Sequence, residues 1–85
     1  MLESIRLSLR LTASNFDEEI KQLIAACKAD LKLAGVLCIN DKDPLILQAV
    51  TMYCKGHFGY DDIKDSYLRT YEMLKTTLTL RGKNV

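Results

Sequence analysis

Residues 43–62 read DPLILQAVTMYCKGHFGYDD, and this stretch decides the fold. Asp43 stands before Pro44, and a carboxylate cap followed by a residue suited to the first helical turn marks a helix start. Leu45, Ile46, Ala49, Val50, Tyr53, Cys54 and Phe58 then cover nearly every side of one helix. That coverage predicts a central helix with neighbours on more than one face. The pattern closes at Phe58-Gly59-Tyr60, and Asp61-Asp62 offers a cap to another helix. Gly56 lies inside the central helix, where glycine costs about 1 kcal/mol relative to alanine. Close packing against a neighbour is the reason to expect it there.

Working back from Asp43, residues 36–42 form the one substantial loop. Its apolar start, Val-Leu-Cys-Ile, predicts a segment that covers the core before Asn40-Asp41 turns the chain. Before it, Phe16, Ile20, Leu23, Ile24, Cys27, Leu31 and Ala34 keep helical spacing for five turns, with Lys21, Lys28 and Lys32 off that face. Ser14 with Asp17, or Asn15 with Glu18, resembles a capping box, and Asp17, Glu18 and Glu19 suit the positive end of the helix dipole. Gly35 fits the left-handed position after the helix, with Val36 set to pack back on its last turn.

Residues 2–11 carry two patterns. Ile5, Leu7, Leu9 and Leu11 alternate as in a strand, while Leu2, Ile5 and Leu9 fit a helical face. A lone strand leaves its backbone groups unsatisfied, so a short helix is the expectation, with docking on another subunit as the alternative.

Beyond the central stretch a last helix is predicted from Asp61 or Asp62 to about Leu80. Ile63, Tyr67, Tyr71, Leu74 and Leu78 form its apolar face, the two tyrosines bringing rings to the core and hydroxyls to its margin. Residues 81–85 read as a mobile tail. The fold class is therefore all-α: one domain over residues 1–85, a small bundle of three main helices plus a short N-terminal helix or arm over residues 1–11.

Composition narrows the function. Eighty-five residues give a thin margin of stability, which makes a partner or self-assembly plausible. Twelve basic and eleven acidic side chains leave a net charge of +1, without the basic excess of a typical nucleic-acid binder. No run approaches a membrane span, and Arg6 and Arg10 interrupt what would be a signal-peptide core. Three cysteines without paired spacing suit a reducing compartment, the cytoplasm.

Cys27, Cys38, Cys54 and His57 are the nearest approach to a chemical site, since three thiolates and an imidazole can close a tetrahedral zinc site. Cys54 and His57 share a helical face, but paired C-x-x-C spacing is missing and Cys27 sits within an apolar stripe. No metal, cofactor or catalytic residue is therefore assigned. His57 has no partner nucleophile or phosphate loop in the sequence, and the carboxylates at 17–19 and 61–62 stand where helix caps belong. Lys75, Arg81 and Lys83 follow the last acid, Glu72. They suit the negative end of the last helix, or an acidic partner surface or passing DNA.

The stretch DPLILQAVTMYCKGHFGYDD, preceded by FDEEIKQLIAACKADLKLAGV and followed by SYLRTYEMLKTTLTL, resembles the head-tail connector (DNA-packaging adaptor) proteins of tailed phages and prophages. The similarity runs from about Leu9 to Leu80. It rests on an acidic start before an "LI-AA" helix, a D-P-opened helix with "AV-x-x-Y", the "K-x-x-FGYDD" close and a short third helix. Gly56 departs from the family's expected pattern, in which a helix-friendly residue such as alanine stands there. The resemblance implies a non-enzymatic helical bundle whose copies form a ring under the portal protein and extend the DNA channel. It also implies that the filled head is thereby prepared for tail joining.

The implied partners are the portal, further copies of the chain, the next tail-side connector or stopper protein, and DNA passing without sequence-specific binding; no membrane is involved. The implied place is the virion's head–tail junction, assembled in the host cytoplasm. Near-neutral charge suits a channel through which DNA slides, and two amphipathic ends suit head-to-tail contacts that close into rings. Leu2, Ile5, Leu9, Leu80, Arg81 and Lys83 are the expected subunit or portal interface. The competing function is a small helical DNA-binding module of a phage operon. A recognition helix presents Arg, Lys, Asn or Gln near its start, whereas Asp61, Asp62 and Asp65 open the last helix here.

Overall fold

The computed structural model describes residues 1–11, 15–58 and 63–83, with side chains through residue 81. Four helices make up the described chain: α1 (Leu2–Ser8), α2 (Asp17–Leu33), α3 (Pro44–Phe58) and α4 (Lys64–Lys83). There is no strand among the described residues. α3 packs on all three of the others, most extensively on α4, as its all-round apolar pattern requires.

The N-terminal ambiguity resolves as a helix. Seven residues are too few to hold a helix in water on their own, so α1 depends on packing. Ile5 is fully buried, worth about 1.5–3 kcal/mol for a side chain of this kind, and Leu2 and Leu9 pack against the same core. Arg6 reaches Asp17 at 3.4 Å, tying α1 to the start of α2. The helix ends with the Leu11 N–H donating to Arg6 O and the Arg10 N–H to Leu7 O, both at 3.0 Å. Arg10 takes a φ of 60°, in a position that glycine usually fills.

α2 starts without the expected capping box. Its N-cap is Phe16, which makes no side-chain cap hydrogen bond, and Asn15 does not serve; Ser14 lies outside the described residues. The Phe16 ring packs edge-to-face on Phe58 at 5.3 Å, so an aromatic contact between helix ends fixes this start. The end of α2 is as expected. Gly35 has a φ of 102°, its N–H meets Lys32 O at 3.1 Å, and the Val36 N–H meets Leu31 O at 3.0 Å. Val36 and Leu31 are both buried, completing the reversal with its apolar contact.

The loop covers the core only in part. Val36 is buried and Ile39 packs against the core, but Leu37 is 81% exposed and Cys38 is also on the surface. Asp43 then caps α3, its Oδ1 accepting the Leu45 N–H at 3.0 Å, with Pro44 the first helical residue. Ile46, Ala49, Val50 and Cys54 form the centre of the core, and the buried Thr51 hydroxyl donates to Leu47 O at 2.7 Å.

α4 begins at Lys64 and runs through Lys83, three residues past its expected end at Leu80. The proposed caps Asp61 and Asp62, and the tail residues Asn84 and Val85, lie outside the described residues. Tyr71 and Leu78 are buried and Leu74 packs on the core, but Ile63 precedes the helix and is 54% exposed. α2 ends, α3 begins and α4 ends at one end of the bundle; the Phe16–Phe58 contact lies at the other.

Candidate functional site

The cysteines and histidine do not assemble into a ligand set. Cys27 and Cys54 are fully buried, Cys38 is exposed on the loop, and the exposed His57 lies with its ring 4.3 Å from that of Tyr53. Among the described residues no three His, Cys, Asp or Glu side chains are grouped to hold a metal ion. Burial pushes the Cys27 thiol up to about 11, and burial with the neighbouring Cys27 pushes Cys54 up to about 12. Both therefore stay protonated near neutral pH, as expected of packing residues.

Polar side chains concentrate instead where α2 and α4 finish. Asp30, on the α2 flank facing α4, accepts the Tyr71 hydroxyl at 2.6 Å and the Lys75 ammonium at 3.0 Å. Those two bonds hold its carboxyl below the usual range, while burial and then the bond to Asp30 push the Tyr71 phenol up. Lys75 also reaches Glu72 at 3.1 Å. On the loop, Asp41 meets Lys28 of α2 at 2.7 Å, which lowers its carboxyl. Asp43 is lowered by the Arg81 guanidinium at 2.6 Å and by the Leu45 N–H, so one carboxylate both caps α3 and clasps the last turns of α4.

An open groove of about 270 Å³ lies between these helices, lined by Ala34, Lys75, Thr76, Thr79 and Leu80. Ala34, expected on the buried face of α2, is exposed and forms one wall. The Thr76 and Thr79 hydroxyls donate to Glu72 O at 3.1 Å and Lys75 O at 2.8 Å, so both already have backbone acceptors.

The six expected interface residues fall into two groups. Ile5 has no exposed surface, and Leu2 and Leu9 are half-buried against the molecule's own core. Leu80 is 55% exposed, Arg81 is exposed but engaged with Asp43, and the Lys83 backbone closes α4. Sequence reasoning missed Leu33, Leu37 and Met73, which are 88%, 81% and 67% exposed. The signal for Leu33 was available, since it lies off the apolar steps of α2 beside the lysines.

A family model described as "Phage connector protein" matches residues 1–85, the whole length of the chain. No curated protein and no solved structure matches it.

Proposed function

The chain belongs to the phage connector protein family, and from that premise we propose that it is a head-completion adaptor. Its copies form a ring under the portal, extend the DNA channel and prepare the packaged head for tail joining. The family is a structural one, and no catalytic role is proposed. The observation that carries the reading is the family match across all 85 residues. A small helical body with a near-neutral charge supports it, because a channel wall that neutralised many phosphates would grip DNA in a salt-dependent way. The ring assembles in the host cytoplasm and ends at the head–tail junction, between the portal and the next tail-side protein.

Among Leu2, Ile5, Leu9, Leu80, Arg81 and Lys83, the α4 residues take the larger share of the interface in this reading. Ile5, having no exposed surface, contributes by holding α1 in place. Sedimentation velocity of the protein mixed with the portal ring from its own genome tests the proposal. Co-sedimentation at many copies per ring is the expected result; a portal that sediments unchanged would sink it.

A further inference from the structure

α4 packs mainly on α3, and its far side is covered by nothing among the described residues. Tyr71 and Leu78 are buried in the core, whereas Met73 and Leu80, each two positions on and about 200° round the helix, are 67% and 55% exposed. Thr76 and Thr77 stand between them and are exposed too. Residues 73, 76, 77 and 80 are neighbours on one helical face, so the four form a continuous stripe.

The stripe carries no charge. The charges flanking it are engaged, Glu72 with Lys75 at 3.1 Å and Arg81 with Asp43 at 2.6 Å. Its hydroxyl protons are engaged as well, since Thr76 donates to Glu72 O and Thr77 to Met73 O, both at 3.1 Å. Covering this face therefore strands no donor, and an acidic or basic partner finds no counterpart on it.

The order large, small, small, large reads the same in both directions. An antiparallel second α4 centred between Thr76 and Thr77 sets Met73 of each copy on Leu80 of the other, with the threonines between. Leu80 and Thr76 are also walls of the open groove completed by Ala34, Lys75 and Thr79. Met73 of the second copy arrives at that groove, and a flexible, unbranched thioether suits an irregular gap of about 270 Å³. By symmetry each copy fills the groove of the other. A parallel pair would put the two Arg69 side chains face to face; the antiparallel one sets their positions about 22 Å apart along the helices.

We propose that α4 pairs with α4 of a second copy of this chain, antiparallel and two-fold, through Met73, Thr76, Thr77 and Leu80. A two-fold contact closes on itself, unlike the head-to-tail contact that builds a ring. The pair is thus a separate state of the free protein and does not rest on the connector reading. Because it covers Leu80, it has to open before Leu80 can serve in the ring.

Sedimentation velocity of the free protein over a concentration series should show monomer passing to dimer and no further. Met73→Asp should weaken that step about tenfold or more, the scale of losing an interface anchor, while Leu7→Asp, at a 70% exposed position of α1, pairs as wild type. Urea midpoints check that both fold. Position 83 comes level with Arg69 of the other copy, two bases, so added salt should strengthen the pair. Cross-linking with a short bis-maleimide in a Cys38→Ser background reads the register. Thr77→Cys should link to its counterpart, and Arg69→Cys should not.

A wild type that stays monomeric at every concentration overturns the pair. So does a folded Met73→Asp variant that pairs like wild type, a Leu7→Asp variant that loses as much, a pair that salt weakens, or Arg69→Cys linking as readily as Thr77→Cys. Assembly beyond the dimer that survives Met73→Asp assigns self-contact to another face and overturns it as well. None of these results touches the connector reading, which is sunk by a portal that sediments unchanged.

Discussion

Asp30 shows how a single side chain can set the state of its neighbours. It takes hydrogen bonds from Tyr71 and Lys75, so α2 and α4 are joined by a charged contact beside an otherwise apolar core. Cys27 lies fully buried with Cys54 beneath this contact, close enough for Tyr71 and Asp30 to act on its thiol. With those thiols pushed up to about 11 and about 12, the reactive thiolate is scarce at neutral pH, and access is closed as well. Cys38, by contrast, is open to solvent on the exposed loop. A disulfide reagent added to the folded protein should therefore label one thiol quickly. Cys27 and Cys54 should follow only as the fold opens, and all three should react at once in denaturant. Cys38→Ser should remove the fast phase; a fast phase that survives this change would mean that a core cysteine is accessible.

α3 and α4 meet at a contact that explains a residue propensity alone would reject. A Cβ built at Gly56 would lie 2.5 Å from Cγ of Leu68 and closer still to one of its methyls, with Lys64 O at 3.4 Å. Gly56→Ala gains about 1 kcal/mol of helix propensity, but overpacking a tight site costs about 1–3 kcal/mol. The expected result is a net loss of stability, read as a lower urea midpoint. Combining it with Leu68→Ala should cost less than the two single changes added together, because the second change removes the clash. Additive losses would show that the helices do not meet as described. The close packing was legible in the sequence as a misplaced glycine, though its partner twelve residues on was not. Likewise Asp43-Pro44 and Gly35 announced a start and a stop because capping and left-handed turns are local chemistry. The start of α2 misled for the converse reason, since Phe16 is fixed by Phe58, a contact made only once the helices pack. Leu37 and Ile63 were read as covering because hydrophobicity was visible and direction was not. The paired end of the bundle was legible only as C-terminal basic residues; their acids on α2 and before α3 lie 45 and 38 positions away in the chain.

For the molecule as a whole, the same paired end predicts how acid should act. Asp30, Asp41 and Asp43 all sit below the usual carboxylate range, through bonds from Tyr71 and Lys75, from Lys28, and from Arg81 with the Leu45 N–H. A carboxyl depressed on folding binds protons more readily in the unfolded chain, so its stabilisation is present above the unfolded value, about 3.9 for aspartate. It is lost as pH falls through the lower folded values. The Asp41 and Asp30 side chains are 52% and 41% exposed, and Asp43, at 21%, pairs with an exposed Arg81, which keeps each contribution small and sensitive to salt. Their joint placement nevertheless links α2, the loop, the start of α3 and the end of α4, so protonation releases several elements at one end. The urea midpoint should show no pH dependence from these groups between about pH 5 and pH 7, where their stabilisation is fully present, and should fall below about pH 4. Amide exchange in the last turn of α4 should rise before that at the Phe16–Phe58 end. Replacing the three aspartates by asparagine should lower the neutral-pH midpoint and flatten the acid limb. If the triple variant keeps the wild-type acid limb, other carboxylates carry it and the paired end is not what acid loosens.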